Sequence, residues 1–110
     1  MSTRATVHFQ EAGETQAIVY RHSDGYPKGL GVDLKAFLDE VKANLTDTRF
    51  DNASYLAAKF VVWQAKRYAE DHYLNFLSLG IVLQDPGDIE YRYLVECSGK
   101  RPTIKCEPTR

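Results

Sequence analysis

Ala5, Val7 and Phe9 alternate with Thr6, His8 and Gln10, a period of two that predicts a half-buried strand with its apolar side chains on one face. Glu11 to Glu14 then turns the chain. Strand character resumes over Ala17 to Arg21 through Ile18, Val19 and Tyr20, so the first two strands are expected to form an antiparallel hairpin. Leu30, Leu34, Phe37, Leu38, Val41 and Leu45 recur at helical spacing and lay one apolar stripe along a helix, with Asp33, Lys35, Asp39, Glu40 and Lys42 on the outer face. Asp51 or Asn52 is placed to cap a second helix, whose inner face would carry Tyr55, Leu56, Phe60, Val62, Trp63 and Tyr68 while Lys59, Lys66 and Arg67 look outward.

The apolar run Phe76 to Leu83 and the alternating segment Ile89 to Cys97 both read as strands, separated by the turn Asp85-Pro86-Gly87-Asp88. A last strand, Thr103 to Cys106, closes a meander after Gly99. The order is β-β-α-α-β-β-β with like elements in runs. It predicts an α+β fold: an antiparallel sheet with two helices packed on one face, in a single domain spanning residues 1–110. Sheet edges left by the short final strands make self-association an expectation.

Of the 110 residues, 44% are apolar, which suffices for one core, and the formal charge of −1 argues against binding DNA or RNA polymers, which need a basic footprint. No apolar run reaches the roughly 18 residues of a membrane span, and Met1 to Ala5 lacks a signal-type apolar segment; a cytoplasmic protein is the expectation. A tight turn at Gly99-Lys100 would set Cys97 opposite Pro102, which argues against a Cys97–Cys106 disulfide. His8, His22 and His72 lack ligand spacing, so neither a metal site nor a cofactor is expected.

Chemistry-bearing side chains are densest in Tyr20-Arg21-His22-Ser23-Asp24-Gly25-Tyr26-Pro27. His22 and Asp24, two apart, would share a side of an extended chain as an acid-base pair; alternatively Asp24 closes an Asx-type turn and His22 packs on an aromatic neighbour. Neither arrangement supplies a nucleophile, and no glycine-rich phosphate loop precedes a helix. Binding without catalysis asks for less: aromatic faces, arginines and a few polar groups. Tyr20, Tyr26, Phe60, Tyr91 and Tyr93 offer the first, Arg21, Arg49 and Arg92 the second, and Asp24, Gln84 and Asp88 the third. On a solvated strand face, Arg92 would pair with Glu90 or Glu96.

Tyr-Arg-His-x-Asp-Gly-Tyr-Pro at 20–27, Arg49-Phe50 before the second helix, and Gly-Asp-Ile-Glu-Tyr-Arg-Tyr at 87–93 together resemble a family of small phage and prophage proteins that includes the phage Thoeris anti-defence sponges. The resemblance covers most of the chain and departs from the family pattern between Tyr68 and Ser78. It implies a non-enzymatic homo-oligomer, a dimer or higher and up to a hexamer, that sequesters a cyclic nucleotide immune signal of the glycocyclic ADP-ribose type in pockets between protomers. The ligand-binding residues it implies are Arg21, His22, Asp24, Tyr26, Arg49, Asp88, Tyr91 and Arg92. A protein-interaction module acting on a host protein is the alternative.

Overall fold

In the computed structural model, which describes residues 3–44, 52–68, 78–97 and 102–109, the alternating N-terminal segment forms β1 (Ala5–Glu11), paired antiparallel with β2 (Glu14–Arg21). The turn between them holds Ala12 at φ 52° and Gly13 at φ 80°, the two left-handed positions of a tight hairpin turn. Glu96 accepts from both turn amides, Ala12 N at 2.9 Å and Gly13 N at 2.7 Å. A register shift between Phe9 and Gln10 marks a bulge in this ladder.

A one-turn π-helical segment, Pro27–Gly31, leads into α1 (Val32–Asn44). The second helix, α2 (Ala53–Tyr68), starts at Asn52, whose Oδ1 accepts from Tyr55 N at 3.2 Å, and Glu11 accepts from Ala53 N at 3.0 Å. Asn52 is thus the cap; Asp51, the other candidate, lies outside the described residues. Then follow β3 (Leu79–Val82), β4 (Tyr91–Glu96) and β5 (Thr103–Pro108). The third strand is shorter than the apolar run from Phe76 predicts, and Phe76 lies outside the described residues, as does Gly99.

The α+β class, the element order and the packing of two helices against one sheet hold, but the sheet is mixed and its final strands form no meander. Its order is β3-β2-β1-β4-β5, with β1 and β4 parallel and the other neighbours antiparallel. Strands β3 and β4 flank the N-terminal hairpin on opposite sides, so segment 83–90 has to cross the sheet instead of turning tightly. We call this crossing segment the strap.

Odd-numbered residues of β1, Ala5, Val7 and Phe9, face the helices and are fully buried with Val19, Tyr93 and Val95. Leu30, Leu34, Phe37, Leu38 and Val41 of the predicted stripe meet them, and Phe9, Phe37, Phe60 and Trp63 form an aromatic cluster with Phe37 and Phe60 edge-on at 5.3 Å. Two expectations for the helices fail. Asp33 is 3% exposed, because Arg21, 7% exposed on the helix-facing side of β2, donates to it at 2.7 Å and to Gln64 at 2.9 Å. Tyr55 and Val62, assigned to the inner face of α2, are 52% and 68% exposed, while Gln64 takes an inner position as a partner of Arg21. Cys97 and Cys106 are free thiols: Cys106 pairs with Tyr93 and Glu96 with Thr103, the register in which Cys97 does not face Cys106, as the sequence predicts. Burial pushes the Cys97 thiol up to about 11, so it is no thiolate near neutrality.

Candidate functional site

Even-numbered residues of β1 point away from the helices, and with Arg4 just before the strand they form a row of Arg4, Thr6 and His8. Parallel pairing sets Arg92 beside Thr6 on this face, and antiparallel pairing sets Tyr20 beside Thr6 on the other side. Six side chains able to donate hydrogen bonds, Arg4, Thr6, His8, Tyr20, His22 and Arg92, therefore share one face of the sheet or its end. The strap crosses them.

Asp85 of the strap takes three of these donors. Thr6 Oγ1 donates to its Oδ1 at 2.6 Å, His8 Nε2 lies 2.7 Å from the same oxygen, and Arg92 Nε donates to Oδ2 at 2.6 Å. His8 Nδ1 is 3.0 Å from Thr15 Oγ1. With the ring neutral, a proton on Nε2 serves Asp85 and the lone pair on Nδ1 accepts from Thr15. Burial disfavours the Asp85 carboxylate, but the hydrogen bonds from Thr6, His8 and Arg92 outweigh it and hold its pKa below the ordinary value; the bond to Asp85 in turn raises that of Arg92.

Asp88 takes Arg4, whose Nη1 donates to Oδ2 at 2.5 Å. The Nε of the same guanidinium points to His22 Nδ1 at 3.4 Å, and Tyr20 OH lies 2.9 Å from that nitrogen. Since Arg4 can only donate, this contact asks His22 Nδ1 to accept, which a neutral ring meets by carrying its proton on Nε2. Arg4 thereby joins His22 of the first motif to Asp88 of the second. Backbone bonds fix the junction: Glu90 N to Arg4 O at 2.8 Å and Gly25 N to Thr3 O at 2.9 Å, with Tyr93 OH on Gly25 O at 2.7 Å. A Cβ on Gly25 would stand 2.7 Å from that of Ala5, so only glycine allows this approach.

The residues that the resemblance implies divide accordingly. His22, Asp88 and Arg92 come together on this face, and Arg92 pairs with Asp85 and, at 3.5 Å, with Glu107 instead of the anticipated Glu90 or Glu96. Arg21 and Tyr91 belong to the opposite, helix-facing side: Arg21 is engaged by Asp33, Gln64 and the Ser23 carbonyl, and Tyr91 packs 6.5 Å from Tyr93. Asp24 sits at φ 55° with Tyr26 OH on its Oδ1 at 3.2 Å, so its carboxylate serves a turn and forms no dyad with His22; that carboxylate also raises the pKa of the Tyr26 phenol. Arg49 lies outside the described residues. Arg4, Thr6, His8 and Asp85 were missed. The even register of β1 already grouped the first three in the sequence, but only the crossing of the strap gives them a shared partner.

Among the described residues, no group of three or more histidine, cysteine or acidic side chains is placed to hold a metal ion, and no helix is long and apolar enough to cross a membrane. A groove of about 570 Å³ opens between α1 and α2 over Phe37, Tyr55, Val62 and Trp63, away from this face. Fold and site define a strapped, mixed-sheet α+β domain whose open face is a set of convergent hydrogen-bond donors. No protein-family model matches the chain, and no curated protein or solved structure does so either.

Proposed function

We propose that the protein binds and sequesters, without altering it, a small cyclic nucleotide signal of the glycocyclic ADP-ribose type, and so antagonises Thoeris-type bacterial defence as a homo-oligomer. The observation that carries this reading is the guanidinium of Arg4, which gathers His22 and Asp88 from two separate sequence motifs at one end of the sheet. Arginine, imidazole and phenol side by side suit phosphate and a stacked ring, and His22 is engaged by Arg4 and Tyr20 instead of an orienting carboxylate.

Mixing the purified protein with glycocyclic ADP-ribose, following the free ligand, and then heat-denaturing the protein tests the reading. Depletion followed by release of intact ligand is expected. Release of an altered nucleotide would instead make the protein an enzyme. Absence of depletion would favour a protein-interaction module, for which Tyr55 and Val62, exposed beside the helical groove, are the natural contact.

A further inference from the structure

Between the end of β3 and the buried Ile89, the strap touches the sheet in an unusual way. Gly87 and Asp88 form a local turn, but among the described residues no backbone hydrogen bond joins 83–88 to the sheet, and the side-chain hydrogen bonds of the stretch are those of Asp85 and Asp88. Leu83 is exposed, and a Cβ on Gly87 would meet nothing. Polar anchoring of this stretch therefore falls to two carboxylates three positions apart, each on an arginine: Asp85 on Arg92 and Asp88 on Arg4. A guanidinium, a hydroxyl and an imidazole around one oxyanion, as Asp85 has them, are also the donors by which proteins hold phosphate. Thr6, at the base of that set, is fully buried.

We propose that Asp85 and Asp88 are internal stand-ins for the two phosphates of a diphosphate ligand. The open face of the sheet is a diphosphate platform, the strap is its anionic plug, and ligand entry exchanges carboxylate for phosphoryl oxygens on Arg92 and Arg4. The proposal rests on the sequestration reading and adds which part of the nucleotide is recognised and how the site is held in its absence. Charge balance supports the exchange: a neutral ligand that lifted the strap would leave Arg4 without its Asp88 carboxylate and Arg92 with Glu107 alone, whereas a diphosphate restores the lost counter-anion to both arginines. Asp88 is half exposed and Asp85 much less so, so the exchange starts at Arg4 and finishes at Arg92. Glu107, 3.5 Å from Arg92 on β5, stays behind as a second partner of that arginine.

Titration of inorganic pyrophosphate into the full chain and into its Asp85→Asn/Asp88→Asn variant tests this by calorimetry. Removing an internal competitor enlarges the binding-competent fraction, so the variant is expected to bind about tenfold more tightly or better. Adding Arg4→Gln or Arg92→Gln should erase the gain. Equal affinity in the two proteins, with the variant melting cooperatively, overturns the proposal. If the double variant does not fold, Asp88→Asn alone, at the more exposed contact, decides: a gain of a few-fold supports the plug and no gain overturns it. Because the probe is inorganic, the two readings fail separately. A variant that gains pyrophosphate while the wild type leaves glycocyclic ADP-ribose in solution keeps the platform and removes the sponge, and the converse pair of results does the opposite.

Discussion

Arg4 and Arg21 stand near the same end of the β1–β2 hairpin and on opposite faces of it, and their consequences differ accordingly. The guanidinium of Arg21 is buried, and truncating it removes the shortest ion pair of the buried Asp33, which keeps the longer contacts with Gln64 at 3.5 Å and Arg67 at 3.9 Å; Arg21→Ala is expected to cost about 3 kcal/mol of folding stability in urea melts. Arg4 pairs at the surface, where an ion pair contributes about 0–1 kcal/mol, so Arg4→Ala should leave the urea midpoint nearly unchanged while abolishing retention of the cyclic nucleotide. Retention by a folded Arg4→Ala protein would remove this face as the site. In the sequence only Arg21 sits in a conspicuous motif, and Arg4 is not among the candidates. What separates them is the pairing of Ala5 with Arg21, which fixes Arg21 on the side of the helices, and Asp33 on the first turn of α1, which no hydropathy pattern marks as buried.

At the scale of elements, local periodicity was legible and long-range partnership was not. The apolar stripe from Leu30, just before α1, to Val41, the Asn52 cap and the alternation of β1 are short-range signals written in adjacent residues, and each holds in the structure, Leu45 at the end of the stripe lying outside the described residues. Parallel pairing of β4 with β1 joins segments on either side of both helices, and a turn motif at 85–88 gives no sign that its flanking strands part company across a hairpin. Tyr55 and Val62 look inward by hydropathy, but the face of α2 that the sheet covers is narrower than its apolar content, and both stay exposed. The hairpin turn offers a test of its own. Ala12 holds a left-handed conformation that asparagine tolerates better, so Ala12→Asn should raise stability by about 0.5 kcal/mol, read as a higher melting temperature. A fall would mean that the bonds from Glu96 to the turn amides depend on alanine.

For the whole molecule, the strap couples acidity to folding. A carboxylate whose pKa is depressed in the folded state stabilises that state at pH values above its unfolded pKa, near 3.8 for Asp85, and loses the contribution as pH falls through the lower folded value. Stability attributable to Asp85 is therefore expected to be flat above about pH 5 and to decline below about pH 4. Asp85→Asn should lower the plateau by about 2 kcal/mol and flatten the acid limb in urea melts recorded across pH. An acid limb identical to that of the wild type would show that the contacts with Thr6, His8 and Arg92 do not survive in solution.

The place of β1 in the sheet has a consequence for how the chain is made. As the middle strand it hydrogen-bonds to β2, its immediate successor, and to β4, which ends at Glu96. A nascent chain leaving the ribosome can close the hairpin and gather both helices early, yet one flank of its central strand has no partner until β4 has been synthesised. Such late, distant contacts slow folding relative to local ones. During that interval the unsatisfied flank of β1 is where a neighbouring nascent chain would add, so the rate of translation past residue 96 sets how long the protein is open to mispairing.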